Sequence, residues 1–105
     1  MDEREERTVE RTGISSWVLQ EIEALAQKYG IQRVILFGSR ARGDYRRVSD
    51  IDLAVTGGDI DGFALAVDEE TSTLLEYDVV DLDGAVQEEL RKNILEEGKM
   101  LYEKV

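Results

Sequence analysis

Apolar residues recur along the chain with two different spacings, which predict alternating helices and strands. Over residues 16–29, 61–74 and 86–97 they return at every third or fourth position, the period of a helix with one buried face. Ser15 and Ser16 stand before the first stripe as candidate N-caps, and Gly30 and Gly98 follow the first and third stripes as candidate C-terminal caps. The predicted buried positions are Val18, Ile22, Leu25, Ala26 and Tyr29 in the first helix, Phe63, Val67, Thr71 and Leu74 in the second, and Val86, Leu90 and Ile94 in the third.

Shorter apolar runs predict the strands. Residues 31–37 are rich in β-branched and apolar residues, as in a strand that is buried on both faces, and residues 50–55, 77–82 and 100–102 predict three more strands. This order of elements indicates an α/β or α+β domain with one small sheet. Residues 1–13 are highly charged and lack an apolar stripe, so we expect a flexible lead-in there and a single domain over residues 14–105.

The composition excludes several kinds of chemistry. The 105 residues include no Cys and no His, which excludes disulfides, thiol proteases, Cys/His zinc sites and Ser-His-Asp hydrolases. Catalysis would have to depend on carboxylates, hydroxyls, Arg, Lys and backbone groups. No apolar run approaches the roughly 20 residues of a membrane-spanning helix, and no secretory signal is present. We therefore expect a cytoplasmic protein without membrane association.

Charge is distributed unevenly. The net charge of −11 argues against direct binding to nucleic acid, because such binding depends on neutralising phosphates. Residues 31–47 nevertheless contain five Arg and one acid, whereas residues 48–90 contain thirteen Asp and Glu with no Lys or Arg. Most of these acids can be explained as a solvated surface. A few of them could instead hold divalent cations, and the surplus would attract a basic partner protein.

The candidate site lies where the basic segment meets the acidic one. Gly38 allows a sharp bend after the first strand, and a helical turn that starts at Ser39 would direct backbone N–H groups towards an anion. Asp50 and Asp52 are two residues apart on a predicted strand, so their carboxylates point to the same face. Two Mg²⁺ ions would suit this pair and could clamp the attacking and leaving oxygens of a phosphoryl displacement. Ser49 can cap or orient the turn that leads into the pair.

Gly38-Ser39, ten intervening residues and Asp50-Ile51-Asp52 form one pattern. Its full form, GSRARGDYRRVSDIDLAV, resembles the minimal nucleotidyltransferases of the polymerase-beta-like superfamily. The resemblance implies a small mixed sheet with helices mostly on one side. It also implies Mg²⁺-dependent transfer of a nucleoside monophosphate from an NTP, ATP foremost, to a hydroxyl, with release of pyrophosphate. In that reading Gly38 and Ser39 hold the β- and γ-phosphates, and Asp50 and Asp52 hold the metals.

The resemblance also requires a third carboxylate, which would assist deprotonation of the acceptor and hold one metal. Asp78 matches it best, with Asp81 and Asp83 as second choices. Arg40 and Arg42 are candidate triphosphate contacts because guanidinium pairs well with phosphate oxygens. The placement of two aromatic side chains stays open. Trp17 is expected in the core or facing a partner, and Tyr45 either packs in its loop or stacks on a base.

The resemblance further implies a partner. Short proteins of this kind are commonly paired with a HEPN-type ribonuclease toxin, which they neutralise as antitoxins, in characterised pairs by AMP transfer to a tyrosine. Three functions therefore remain open from the sequence: nucleotidyl transfer to a partner protein, inhibition of a partner by complex formation without catalysis, and nucleotidyl transfer to a small molecule. The intact Gly-Ser and Asp-x-Asp residues favour the first.

Overall fold

A four-stranded mixed sheet organises residues 12–105, the part of the chain that this computed structural model describes. The strand order is β3-β2-β1-β4, with β1 antiparallel to both β2 and β4, and β2 parallel to β3. This confirms the expectation of a small mixed sheet with flanking helices. In chain order the elements are α1 (Ser16–Lys28), β1 (Arg33–Phe37), α2 (Ser39–Arg42), β2 (Ile51–Thr56), α3 (Ile60–Glu70), β3 (Tyr77–Asp81), α4 (Glu88–Glu97) and β4 (Lys99–Glu103).

Helices cover both faces of the sheet, because the central strands are apolar on both sides. Alternate residues of β1 and β2, such as Val34 and Leu53, pack against α1 and α3 in the larger core cluster. The residues between them, Ile35 and Ala54, face the other way and pack against Ile94 of α4. Two of the three long helices thus share one face, and α4 covers part of the other.

Helix α3, which the apolar pattern predicts over residues 61–74, is shorter than predicted. It ends at Glu70, and Thr71 is already extended. The Thr71 hydroxyl donates to the Val67 carbonyl at 2.6 Å, and Thr73 Oγ1 accepts from the Leu75 N–H at 3.1 Å. Such side-chain bonds compete with helical hydrogen bonding, which explains the early end. The prediction that Leu74 faces inward is wrong, since its side chain is fully exposed.

The chain entering the first helix is held in place. The predicted lead-in falls mostly on residues 1–11, outside the described part of the chain, but Thr12 is buried and its carbonyl accepts a hydrogen bond from Arg40. Ser15 occupies the N-cap position of α1 without a side-chain capping bond. Trp17 is 61% exposed, so of its two predicted placements the core is excluded. Within residues 12–105 no helix is long and apolar enough to cross a membrane.

Candidate active site

The bend after β1 lies directly against a carboxylate of β2. Gly38 has φ +75°, and α2 begins at the next residue, Ser39. A Cβ atom at Gly38 would collide with Oδ2 of Asp52. Glycine at this position therefore lets the Asp52 carboxylate approach the backbone of the bend, which brings the Gly-Ser pair and the acid together as the sequence pattern predicts.

Asp52 is paired by strand register with Phe37 on one side and Asp78 on the other. Paired residues of neighbouring strands point to the same face, so the Asp52 and Asp78 carboxylates stand side by side. Burial raises the pKa of the Asp52 carboxyl, Asp78 and then Asp50 raise it further, and Arg42 lowers it. Asp50, just before β2, thus lies near enough to act on Asp52 through its charge.

The two second-choice acids lie elsewhere. Asp81 pairs with Val55 in the register and so points to the opposite face from Asp78. Its Oδ1 accepts from the Asp83 N–H at 2.8 Å, and Asp83 Oδ2 accepts from the Gly57 N–H at 2.7 Å. Both acids therefore organise the turn beyond β3. Of the three candidates for the third carboxylate, Asp78 is the one that the fold places beside Asp52.

The donor set suits a hard divalent cation. No three acidic side chains within residues 12–105 already surround one point as a finished ligand set. Mg²⁺ does not need one, because it is usually held by one or two carboxylates, with substrate phosphates and water completing its shell. Asp78 and Asp50 raise the pKa of Asp52 because the negative charges repel one another, and a bound cation would relieve this repulsion. The residues present therefore fit Mg²⁺ bound together with a triphosphate.

Arg40 is placed differently from the predicted triphosphate contact. Its side chain is only 2% exposed, and its guanidinium donates to the carbonyls of Thr12 (2.7 Å), Ser49 (3.0 Å) and Arg47 (3.3 Å). The guanidinium carbon also lies 4.9 Å from the centre of the Tyr45 ring. Arg40 thus ties the loop between α2 and β2 to the start of the chain, and Tyr45 packs on it.

Arg42, by contrast, stays exposed beside the acids. Its guanidinium lies 3.3 Å from Asp44 and 3.8 Å from Glu97, and its charge lowers the pKa of Asp52. Ser49 orients the turn as expected, because its Oγ accepts from the Arg46 N–H at 2.8 Å. No spacing rule could have found the contact between Arg40 and Thr12, which are 28 residues apart.

A Gly-Ser bend facing carboxylates on two neighbouring strands of a small mixed sheet defines a nucleotidyltransferase. The family described as polymerase beta, nucleotidyltransferase, matches residues 20–105 of this chain. The chain belongs to this family.

Individual relatives agree with that membership. The chain is 44% identical to the Methanocaldococcus jannaschii protein named "Putative protein adenylyltransferase MJ0604", over 77% of this chain and 90% of that protein. A crystal structure of a toxin–antitoxin with AMP-PNP is similar with a TM-score of 0.64 at 29% identity, covering 82% of this chain and 73% of that one. A mutant of the toxin–antitoxin MntA–HpeT gives a TM-score of 0.63 at 27% identity, with 81% and 72% covered.

Proposed function

We propose that this nucleotidyltransferase transfers AMP from ATP to a hydroxyl of a partner protein, that the partner is a HEPN-type ribonuclease toxin, and that Mg²⁺ is required. The observation that carries the proposal is the contact of the Asp52 carboxylate with the bend at Gly38, together with the register pairing of Asp52 with Asp78. The relative named as a protein adenylyltransferase supports a protein acceptor. The similar toxin–antitoxin with AMP-PNP supports both the toxin and the adenine nucleotide.

Each site residue has a role in this proposal. The backbone at Gly38 and Ser39 binds the β- and γ-phosphates, and Arg42 adds positive charge beside them. Asp50, Asp52 and Asp78 hold two Mg²⁺ ions. When bound, these ions supply positive charge that offsets the carboxylates and the phosphate oxygens.

The transfer itself exchanges one bond for another at the α-phosphorus. The acceptor hydroxyl oxygen bonds to this phosphorus while the bond to the bridging oxygen of the β-phosphate breaks. The bridging oxygen keeps the electron pair and leaves with pyrophosphate. The hydroxyl proton passes to Asp78, which we assign as the base, and from there to solvent.

The test uses the purified chain, purified partner toxin and ATP labelled at the α-phosphate, with and without Mg²⁺. We expect label on the toxin, and we expect Asp52→Asn to reduce labelling by at least about a hundredfold because it removes a charged ligand. Asp81→Asn is the matched control, since Asp81 lies on the other face, and it should label normally. A tight complex with no labelling under any NTP would refute transfer and favour inhibition by binding alone.

A further inference from the structure

An open groove of about 680 Å³ adjoins the candidate active site, and Asp50 forms part of its wall. The rest of the wall comes from three segments: the start of α1, the loop before β2, and the loop between α3 and β3. Asp50 is the one site carboxylate that lines the groove, whereas Asp52 and Asp78 face the other side of the sheet. The groove therefore meets the candidate site at Asp50, and the nucleotide-binding roles above leave the rest of its surface unused.

Large apolar side chains stand exposed around this groove. Trp17 is 61% exposed, Val48 is 78% exposed and Leu74 is fully exposed, and all three line it. Large exposed apolar side chains gathered around one groove commonly mark an interaction site, because leaving them in water is unfavourable. The three side chains come from three different segments, so the patch is created by the fold and not by one apolar stretch of sequence.

The two loops that carry Val48 and Leu74 are anchored to the rest of the fold by hydrogen bonds. The Glu21 carboxylate of α1 accepts from both the N–H and the hydroxyl of Ser72, each at 2.9 Å. Thr71 and Tyr77 share a hydroxyl hydrogen bond at 2.9 Å at the base of the same loop. On the other side, Arg40 donates to the carbonyls that flank Val48. These bonds anchor the chain on both sides of Val48 and close to Leu74.

Charge decides what can occupy the groove. Asp50 and Glu76 lie in its wall, and residues 48–90 contain thirteen acids and no Lys or Arg. A second copy of this chain would bring the same net charge of −11 and would be repelled. A segment with apolar side chains flanked by Lys or Arg matches both the patch and its acidic rim.

We propose that this groove docks a basic segment of the acceptor protein, which inserts apolar side chains between Trp17, Val48 and Leu74 and so holds the acceptor at the edge of the site that Asp50 forms. The identity of the docked protein as the acceptor rests on the proposed function. The docking itself rests on the groove, its exposed side chains and its charge.

The experiment measures partner binding and AMP transfer separately. Trp17→Ser and Leu74→Ser are compared with Leu65→Ser and Leu95→Ser, which remove similarly exposed leucines on α3 and α4 outside the groove. Titration calorimetry with purified partner toxin, without nucleotide and at low and high salt, gives Kd. Labelling assays give kcat and the KM for the toxin and for ATP. Circular dichroism confirms that each variant is folded.

We expect the groove variants to raise Kd and the KM for the toxin by about tenfold or more, with unchanged kcat and unchanged KM for ATP. The control variants should behave like wild type, and salt should weaken binding. Unaltered binding in both groove variants, an equal loss in the controls, or a wild-type homodimer that Leu74→Ser dissociates would overturn the docking. Lost affinity in the groove variants while wild type transfers no AMP would refute the proposed activity and still support the docking.

Discussion

Gly38→Ala tests how the bend and the carboxylate depend on each other. Gly38 has φ +75° and ψ −157°, a region that essentially only glycine occupies, so alanine there costs about 1–3 kcal/mol. The new Cβ would also collide with Asp52 Oδ2, and overpacking of this kind costs about 1–3 kcal/mol more. The expected loss in the free energy of unfolding is therefore about 2–6 kcal/mol. Native proteins have about 5–15 kcal/mol of stability, so circular dichroism first checks that Gly38→Ala is folded.

Two controls separate the backbone effect from the collision. Gly43 also has a positive φ, +93°, but a Cβ built there meets nothing within 4 Å. Gly43→Ala should therefore cost only the left-handed penalty of about 1–2 kcal/mol. In an Asp52→Ala background the colliding oxygen is absent, and Gly38→Ala should lose the steric part of its cost.

Urea denaturation followed by circular dichroism measures the free energy of unfolding of wild type, Gly38→Ala, Asp52→Ala and the double variant, which closes the double-mutant cycle. Gly43→Ala is measured in the same way. AMP transfer by folded Gly38→Ala should also be lost, because Asp52 must move away from the bend. The reasoning fails if Gly38→Ala costs no more than Gly43→Ala. It fails equally if the cost is the same with and without the Asp52 side chain.

Three further predictions concern charged residues. The pKa of Asp52 is raised in the fold, so ionisation of its carboxyl opposes folding. Without divalent cations, Asp52→Asn should therefore stabilise the protein at neutral pH. This gain in the free energy of unfolding should shrink when urea denaturation is repeated at lower pH, through the range where Asp52 becomes protonated. Arg40→Lys should lower the free energy of unfolding by about 2–4 kcal/mol, because one ammonium cannot reach three carbonyls, whereas Arg42→Lys, at an exposed ion pair, should cost under about 1 kcal/mol in the same urea titration. Asp78→Asn should abolish labelling of the partner while Asp81→Asn retains it, and equal loss in both would contradict the assignment of Asp78.

The four strands could be predicted well from the sequence, because a strand depends on a local pattern of apolar residues. A few neighbouring residues suffice to predict the apolar strand β1 and the strand β2 that carries Asp52 between buried Ile51 and Leu53. The choice of Asp78 came from the family resemblance, and the parallel register between β2 and β3 places it beside Asp52. That pairing depends on where a later strand adds to the sheet, which periodicity alone does not determine.

The features that were predicted less well depend on contacts between distant segments. Arg40 has the residue type and the sequence position expected of a phosphate contact, but its guanidinium donates to the carbonyls of Thr12, Arg47 and Ser49 instead. Leu74 continues a helical stripe, yet local hydroxyl hydrogen bonds end the helix before it. In both cases the alternative partner is a backbone carbonyl, and no residue type in the sequence identifies which carbonyl will be near.

Alternate residues of β2 face opposite sides of the sheet, and this alternation connects the stability of the fold to the chemistry of the site. Leu53 and Val55 are buried with α1 and α3, so Asp52 and Ala54 must face the other side of the sheet. On that side α4 covers Ala54, while Asp52 remains only partly buried beside Asp78. A slip of β2 by one residue would turn Asp52 into the larger core and turn Leu53 and Val55 out of it. The hydrophobic core that fixes the register therefore also fixes the carboxylates at the site, although their mutual repulsion opposes folding.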